Sequence, residues 1–363
     1  MLRVFEAFAG YGSQRIALKN IGVPHEVVGI SEIDESAILS YAAIHEDLIN
    51  IYNTTTDISE SEMRESLKSI NIPLDYRTFQ IKSDKLKGIR LKKLYYASKL
   101  SKNYGDIRII NPYNLPDFDF FTYSFPCQDI SIAGYQNGLS ENSGTRSSLL
   151  WECCKIIEVK KPQFLMMENV KNLIGKNHKK QFEYFLSYLS NLGYINTWAV
   201  LNAKDYGIPH NRERVFCISI LKNNNYTKKY EFPKPKILKL KARDLLDVPP
   251  DKKFYLPNQF IDTPLDPEYI YCLDANYWKG TTLTDFLSKK RRQLVTDIKN
   301  TKNLYPVRRL TPKEAWRFMG MNDIDFYKAS LFNSNTSLYK QAGNSIVIPV
   351  MEEIFKNLFF NEV

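Results

Sequence analysis

The stretch Leu2-Arg3-Val4-Phe5-Glu6-Ala7-Phe8-Ala9-Gly10-Tyr11-Gly12 decides the fold class. An apolar run from Val4 to Phe8, interrupted by Glu6, ends at a pair of glycines. A buried strand that runs into a glycine turn and opens a helix begins many nucleotide-binding α/β units. The following residues continue the rhythm. Arg15–Ile21 has helical spacing, Glu26–Ile30 predicts a second buried strand, and Ser36–Ile44 predicts a second helix. Glu32 lies 22 residues beyond Gly10, at the end of the second strand. An acidic side chain there can accept the ribose hydroxyls of an adenosine cofactor. The third glycine of the dinucleotide fingerprint is missing, so this loop alone leaves a plain strand–helix turn equally open.

Working outward, residues 47–104 break the alternation. They are polar and Lys-rich, with helix candidates at Ser61–Ile70 and Leu91–Leu100, and they read as an insertion. Strands are then expected at Ile107–Ile110, Phe118–Phe125, Phe164–Met167, Ile195–Leu201 and Val215–Ile220. Helices are expected at Leu149–Val159 and Lys180–Leu192. This alternation predicts an α/β fold with a mostly parallel sheet. Beyond Leu221, seven prolines between Pro233 and Pro267 punctuate a loop-rich module. Arg309–Met319 and Ile346–Phe360 read as helices.

The chain has 363 residues, 44% of them hydrophobic, which suits one large core with a smaller module. No run of about 18 uncharged apolar residues and no signal-peptide core occur, so an intracellular protein is expected. Five cysteines with no CxxC, and four histidines without a paired pattern, suggest neither a disulfide framework nor a metal site. The formal net charge is +10. Its distribution is uneven: residues 221–338 carry a net +9, residues 47–104 a net +4, and the remainder a net −3. A localised basic excess points to a polyanionic partner.

Four further motifs carry chemistry. Ser124-Phe125-Pro126-Cys127-Gln128-Asp129-Ile130-Ser131 stands where a strand of an open α/β sheet ends, the edge that binds ligands. Cys127 there is a candidate nucleophile, with packing as the alternative. Glu168 of Met167-Glu168-Asn169-Val170 is a candidate proton or hydrogen-bond donor, or else a helix cap. Arg212 and Arg214 are expected on one face of a strand, where paired guanidiniums suit an anion or carbonyl oxygen; a solvated edge is the alternative. Asn344 and Ser345 precede the last helix, as caps or ligand contacts.

Taken in order, FAGYG, Glu32, Gly105-Asp106-Ile107, FPCQDIS, ENV, RER, RRLTPKE and AGNSI resemble the cytosine-C5 DNA methyltransferases over almost the whole chain. The N-terminal half is similar to the CpG-type enzymes of mollicutes, although the CpG target is not carried over. The resemblance implies a Rossmann-like, S-adenosylmethionine (AdoMet)-dependent sheet with helices on both faces, plus a smaller target-recognition domain. The catalytic domain would comprise residues 1–221 and 339–363, and the recognition domain residues 222–338. Cys127 would attack C6 of a flipped-out cytosine, Glu168 would serve N3, and Arg214 with Arg212 would hold O2. Phe8, Gly10, Gly12, Glu32, Ile33, Asp106, Ile107, Pro126, Leu149, Asn344 and Ser345 would line the AdoMet site. Gln128, Ser131, Thr282, Leu283, Lys289, Lys290, Arg291 and Arg292 would contact DNA. No metal is implied.

The chain departs from the family pattern twice. His210 stands where members commonly have Gln, and the segment between Glu32 and Gly105 is far longer than in compact members. The implied partners are double-stranded DNA and a cognate restriction endonuclease, for a monomer in the bacterial cytoplasm; a solitary methylase is the other arrangement. A tRNA cytosine methyltransferase on the same scaffold and a non-catalytic DNA-binding regulator are the competing functions. Members of the former kind have a Cys-Phe-Thr element soon after ENV, which Lys171–Lys180 lacks, and the intact Cys127, Glu168 and Arg214 speak against the latter.

Overall fold

The computed structural model describes residues 1–51, 58–75, 78, 80–126, 149–223, 225, 227–247 and 250–360. Two compact units form. The first comprises Met1–Leu201, Glu213–Pro233 and Met351–Val363, and the second Asn202–Arg212 and Lys234–Val350. Segments 202–212 and 339–350, expected in the catalytic domain, thus cluster with the second unit.

In the first unit, β1 (Leu2–Ala7), β2 (His25–Ser31), β5 (Phe120–Tyr123) and β6 (Phe164–Val170) run parallel. With β7 (Tyr194–Asn202) and β9 (Glu213–Leu221) they make one sheet in the order β2-β1-β5-β6-β9-β7. β9 runs antiparallel to β6, with Glu168 opposite Phe216 and Val170 opposite Arg214. Strands covered on both faces need continuous apolar runs, and all four residues of β5 are buried. Helices α1 (Ser13–Asn20), α2 (Glu35–His45), α6 (Leu149–Lys160) and α7 (Lys179–Asn191) alternate with the strands. Asp34 starts α2 by accepting from Ser36 N (3.0 Å) and Ala37 N (3.2 Å). The final helix, α12 (Ile348–Phe359), brings Phe355 and Phe359 edge-on to Phe120. The order of the strands reverses at β1, whose two neighbours are β2 and β5. Open α/β sheets bind ligands at the carboxyl ends of strands at such a point. There the chain leaves β1 into Phe8–Gly12 and β5 into Phe125-Pro126.

The described residues of 47–104 are folded. α3 (Leu48–Ile51), α4 (Glu60–Ser69), the β3 (Leu74–Asp75)–β4 (Gln80–Ile81) hairpin and α5 (Gly88–Leu100) occupy them. Ser59 and Glu62 close a reciprocal capping box on α4. α5 packs on α2, where Arg90 grips Glu35 with two bonds of 2.7 Å.

The second unit holds β8 (His210–Asn211) parallel to β11 (Ile270–Tyr271). It also holds the antiparallel sheet β10 (Tyr255–Ile261), β13 (Tyr305–Arg309), β12 (Leu294–Thr296). The helices α8 (Leu283–Lys289), α9 (Pro312–Arg317), α10 (Asp323–Ser330) and α11 (Asn335–Asn344) also belong to it.

Three expectations are corrected. Ile107–Ile110 is no strand: Gly105 turns the chain at φ +71°, and the Asp106 carboxylate captures Arg108 N (3.1 Å) to start a 3-10 turn over Ile107–Ile109. The pairing with β2 falls earlier, as a parallel bridge between Ile30 and Asn103. The helix expected from Arg309 begins at Pro312, because Arg309 still pairs with Leu294 and Thr311 is the cap. Arg212 and Arg214 do not share a strand face, because the strand is interrupted at Arg212 between β8 and β9. Among the described residues no helix is long and apolar enough to cross a membrane.

Candidate active site

The loop after β1 is held open by its backbone. Phe8 N donates to Ser31 O (2.7 Å), and Phe8 itself adopts φ +55°. Gly10 has open space where a Cβ would stand, so its backbone can approach a ligand. Gly12, at φ +79°, begins α1 and lies so close to His45 Nε2 that a side chain there would overlap it. His45 Nε2 donates to Tyr11 O (3.0 Å). Burial, with the Arg15 charge nearby, holds this imidazole well below its ordinary value, so it is neutral.

Glu32 faces the same loop. Its carboxylate accepts from Gly10 N (2.9 Å), Ile33 N (2.8 Å) and Asp34 N (2.9 Å). Burial and then the Asp34 charge push this carboxyl up, against the three N–H donors. Asp106 is buried and engaged by Arg108, whose Nη2 lies 2.6 Å from its Oδ2. Ile107 is buried beside it, while Ile33, Pro126 and Leu149 are half-buried. Open backbone at Gly10, with a carboxylate anchored next to it, fits the adenosine and methionine parts of AdoMet.

Glu168 and Arg214 come together at the ends of β6 and β9. Arg214 Nε lies 3.2 Å from Glu168 Oε1, with both side chains largely buried. Asn169, which carried no role in the sequence reading, donates to Phe125 O (3.1 Å). It thereby ties the end of β5, where the Cys127 segment departs, to the residue after Glu168. Cys127, Gln128 and Ser131 lie outside the described residues. Cys153, Cys154 and Cys217 are buried in the core, and burial pushes the Cys217 thiol up to about 12, which excludes it as a nucleophile near neutrality.

Arg212 has a different position from Arg214. Buried in the second unit, it donates to the carbonyls of Leu273 (2.8 Å), Gly343 (2.9 Å) and Ser345 (2.8 Å). It works there as a backbone clamp. His210 sits beside it, wholly buried. Its Nδ1 donates to Phe318 O (3.0 Å) and its Nε2 accepts from Leu273 N (3.0 Å). One ring nitrogen donating and the other accepting let His210 bind two main-chain groups at once. Asn344 is exposed at the end of α11, and Ser345 follows it as that helix's C-cap.

The expected DNA contacts are partly occupied by protein. Thr282 caps α8, accepting from Asp285 N (3.1 Å), and Leu283 N donates to Gln259 Oε1 (3.1 Å). Lys289 pairs with Asp285 (2.6 Å), Arg291 pairs with Asp274 (3.2 Å), and Arg292 donates to Gly280 O (2.7 Å). Lys290 is exposed. Among the described residues no His/Cys/Asp/Glu group could hold a metal ion.

Residues 58–359 match the family model described as C-5 cytosine-specific DNA methylase. Over 360 residues the chain is 64% identical to the Type II methyltransferase M2.ScrFI of Lactococcus lactis subsp. cremoris, covering 99% of both chains. It is 39% identical over 237 residues to the orphan methyltransferase M.SssI of Spiroplasma monobiae, covering 61% of this chain and 59% of that one. Among solved structures, the S. pombe Dnmt2 methyltransferase matches with a TM-score of 0.63 at 18% identity, covering 99% of each chain. At that identity the likeness is one of fold.

Proposed function

The chain belongs to the C-5 cytosine-specific DNA methylase family and is a DNA cytosine-C5 methyltransferase, and from that premise we propose how its residues divide the work. The observation that carries the reading is the Glu168–Arg214 pair. It stands at the sheet edge, beside the strand end that Asn169 ties down and from which the chain runs on to Cys127.

Cytosine C5 is a poor nucleophile, and its ring is stacked inside a duplex, so the base is flipped out first, at a cost of a few kcal/mol. The Cys127 thiolate then adds to C6, forming a C6–S bond and making C5 electron-rich. Glu168 hydrogen-bonds N3 and Arg214 holds O2, where charge develops. Bound AdoMet supplies an electrophilic methyl group on a sulfonium. After methylation a base removes the C5 proton, the C5=C6 double bond re-forms, and the Cys127 thiolate leaves. Phe8, Gly10, Gly12, Glu32, Ile33, Asp106 and Ile107 would hold AdoMet. Arg212 is assigned a supporting part, since its guanidinium is spent on three carbonyls.

Residues 222–338 are taken as the target-recognition region, and duplex DNA as substrate, in the cytoplasm of a bacterium. The Type II name of M2.ScrFI supports a cognate endonuclease as partner. Transfer of a labelled methyl from AdoMet to duplex DNA, compared with tRNA, tests the reading. Cys127→Ala is expected to abolish transfer while retaining DNA binding. Full activity of that variant would refute the mechanism, and preference for tRNA would refute the substrate.

A further inference from the structure

We propose that the insertion, residues 47–104, braces the adenosine end of the cofactor site, with Asn71 as its positioning residue. The proposal rests on the AdoMet reading above. The bend Ile70–Leu74, between α4 and β3, touches two loops that carry expected cofactor contacts. On one side Ile70 O accepts from Asp106 N (3.0 Å), and Asn71 Nδ2 donates to Asp106 Oδ2 (3.2 Å). The approach is so close that any side chain at Gly105 would overlap Ile70 O. On the other side Leu74 N donates to Ile33 O (3.2 Å). A single bend therefore fixes the turn of Asp106 and Ile107 relative to the loop of Glu32 and Ile33.

The far end of the insertion repeats the bridge. Asn103 Oδ1 accepts from Glu32 N (3.1 Å) and Gly105 N (2.9 Å), while Asn103 Nδ2 donates to Glu32 O (3.0 Å). The bend is itself anchored, since Ile72 is wholly buried and the α4 capping box precedes it. A solvated decoration would need none of these bonds. The Asn71 side chain hydrogen-bonds a proposed cofactor residue directly, so it sets where Asp106 and its partner Arg108 stand.

Asn71 has φ +56°, which glycine also adopts freely. Asn71→Gly therefore removes the carboxamide with little backbone strain, whereas Asn71→Asp sets a like charge beside Asp106. Calorimetric titration with S-adenosylhomocysteine (AdoHcy), the methylation product, is expected to show Kd raised about 3- to 10-fold in Asn71→Gly, and further in Asn71→Asp. KM for AdoMet should rise in parallel, with duplex DNA affinity and Tm following the wild type. Unaltered AdoHcy affinity in Asn71→Gly overturns the proposal, as does equal loss of DNA and AdoHcy binding. If the variants do not fold, amide exchange in the wild-type protein decides. AdoHcy must then slow exchange at Leu74 N and Asp106 N, and no protection there overturns the brace. Failure of the wild type to bind AdoHcy at all would overturn the cofactor reading, and the brace with it.

Discussion

Glu6 lies inside β1 with no exposed surface, two residues before the glycine loop opens at Phe8. In the sequence it reads only as an interruption of an apolar run. Tyr41 OH donates to its Oε2 (2.7 Å). Burial pushes the carboxyl from 4.5 up to about 7, against the Tyr41 bond and the Arg15 charge, which both lower it. The folded state therefore prefers the protonated acid. Its stabilising contribution is complete below the ordinary carboxyl range and is lost as pH rises through about 7. The difference is on the order of 3 kcal/mol. Glu6→Gln keeps an acceptor for Tyr41 and removes the charge. Its Tm should exceed that of the wild type at pH 8, with the gain shrinking towards pH 5. An equal gain at both pH values would show that ionisation is not the cause.

Among the elements, the RRLTPKE segment shows how one short motif can serve a strand, a cap and a buried charge cluster together. Arg308, wholly buried at the end of β13, binds Asp297 through Nε (2.8 Å) and Glu314 through Nη1 and Nη2 (2.9 Å each). Glu314 also closes the α9 capping box with Thr311, and Tyr255 OH adds a bond to Asp297. Arg308→Ala would leave two buried carboxylates without their cation, a loss of about 3–5 kcal/mol. Denaturant unfolding should show that loss, and a cost near zero would mean that water or another cation replaces the guanidinium. The sheet strands are legible in sequence because doubly covered parallel strands must be continuous apolar runs. Ile107–Ile110 has the same texture, but Gly105 and the Asp106 side chain override it locally. The Glu168–Arg214 pair was foreseeable as candidate residues, while its geometry depends on antiparallel pairing across β6 and β9. Asn71 gave no signal, because its partner lies 35 residues away and only tertiary folding joins them.

At the scale of the molecule, the +10 charge has two addresses, a net +9 in residues 221–338 and +4 in the insertion. The run Lys289–Arg292 is the densest part of the first. Lys289 and Arg291 each hold a neighbouring carboxylate, and Arg292 a carbonyl. Such exposed pairs contribute about 0–1 kcal/mol, so a phosphate can displace them at little cost. Replacing all four by Gln should weaken duplex binding regardless of sequence. It should also flatten the dependence of log K on log salt by up to about 3.6, since each phosphate contact contributes about 0.9. Lys290→Gln alone should account for more of that change than Arg291→Gln, because Arg291 must first give up Asp274. AdoHcy affinity should not move, since these residues lie outside every proposed cofactor contact. Unchanged binding and salt slope in the fourfold variant would shift the backbone contacts to the +4 of residues 47–104. The insertion would then serve DNA as well as the cofactor end of the site, and its neutralisation should flatten the slope instead.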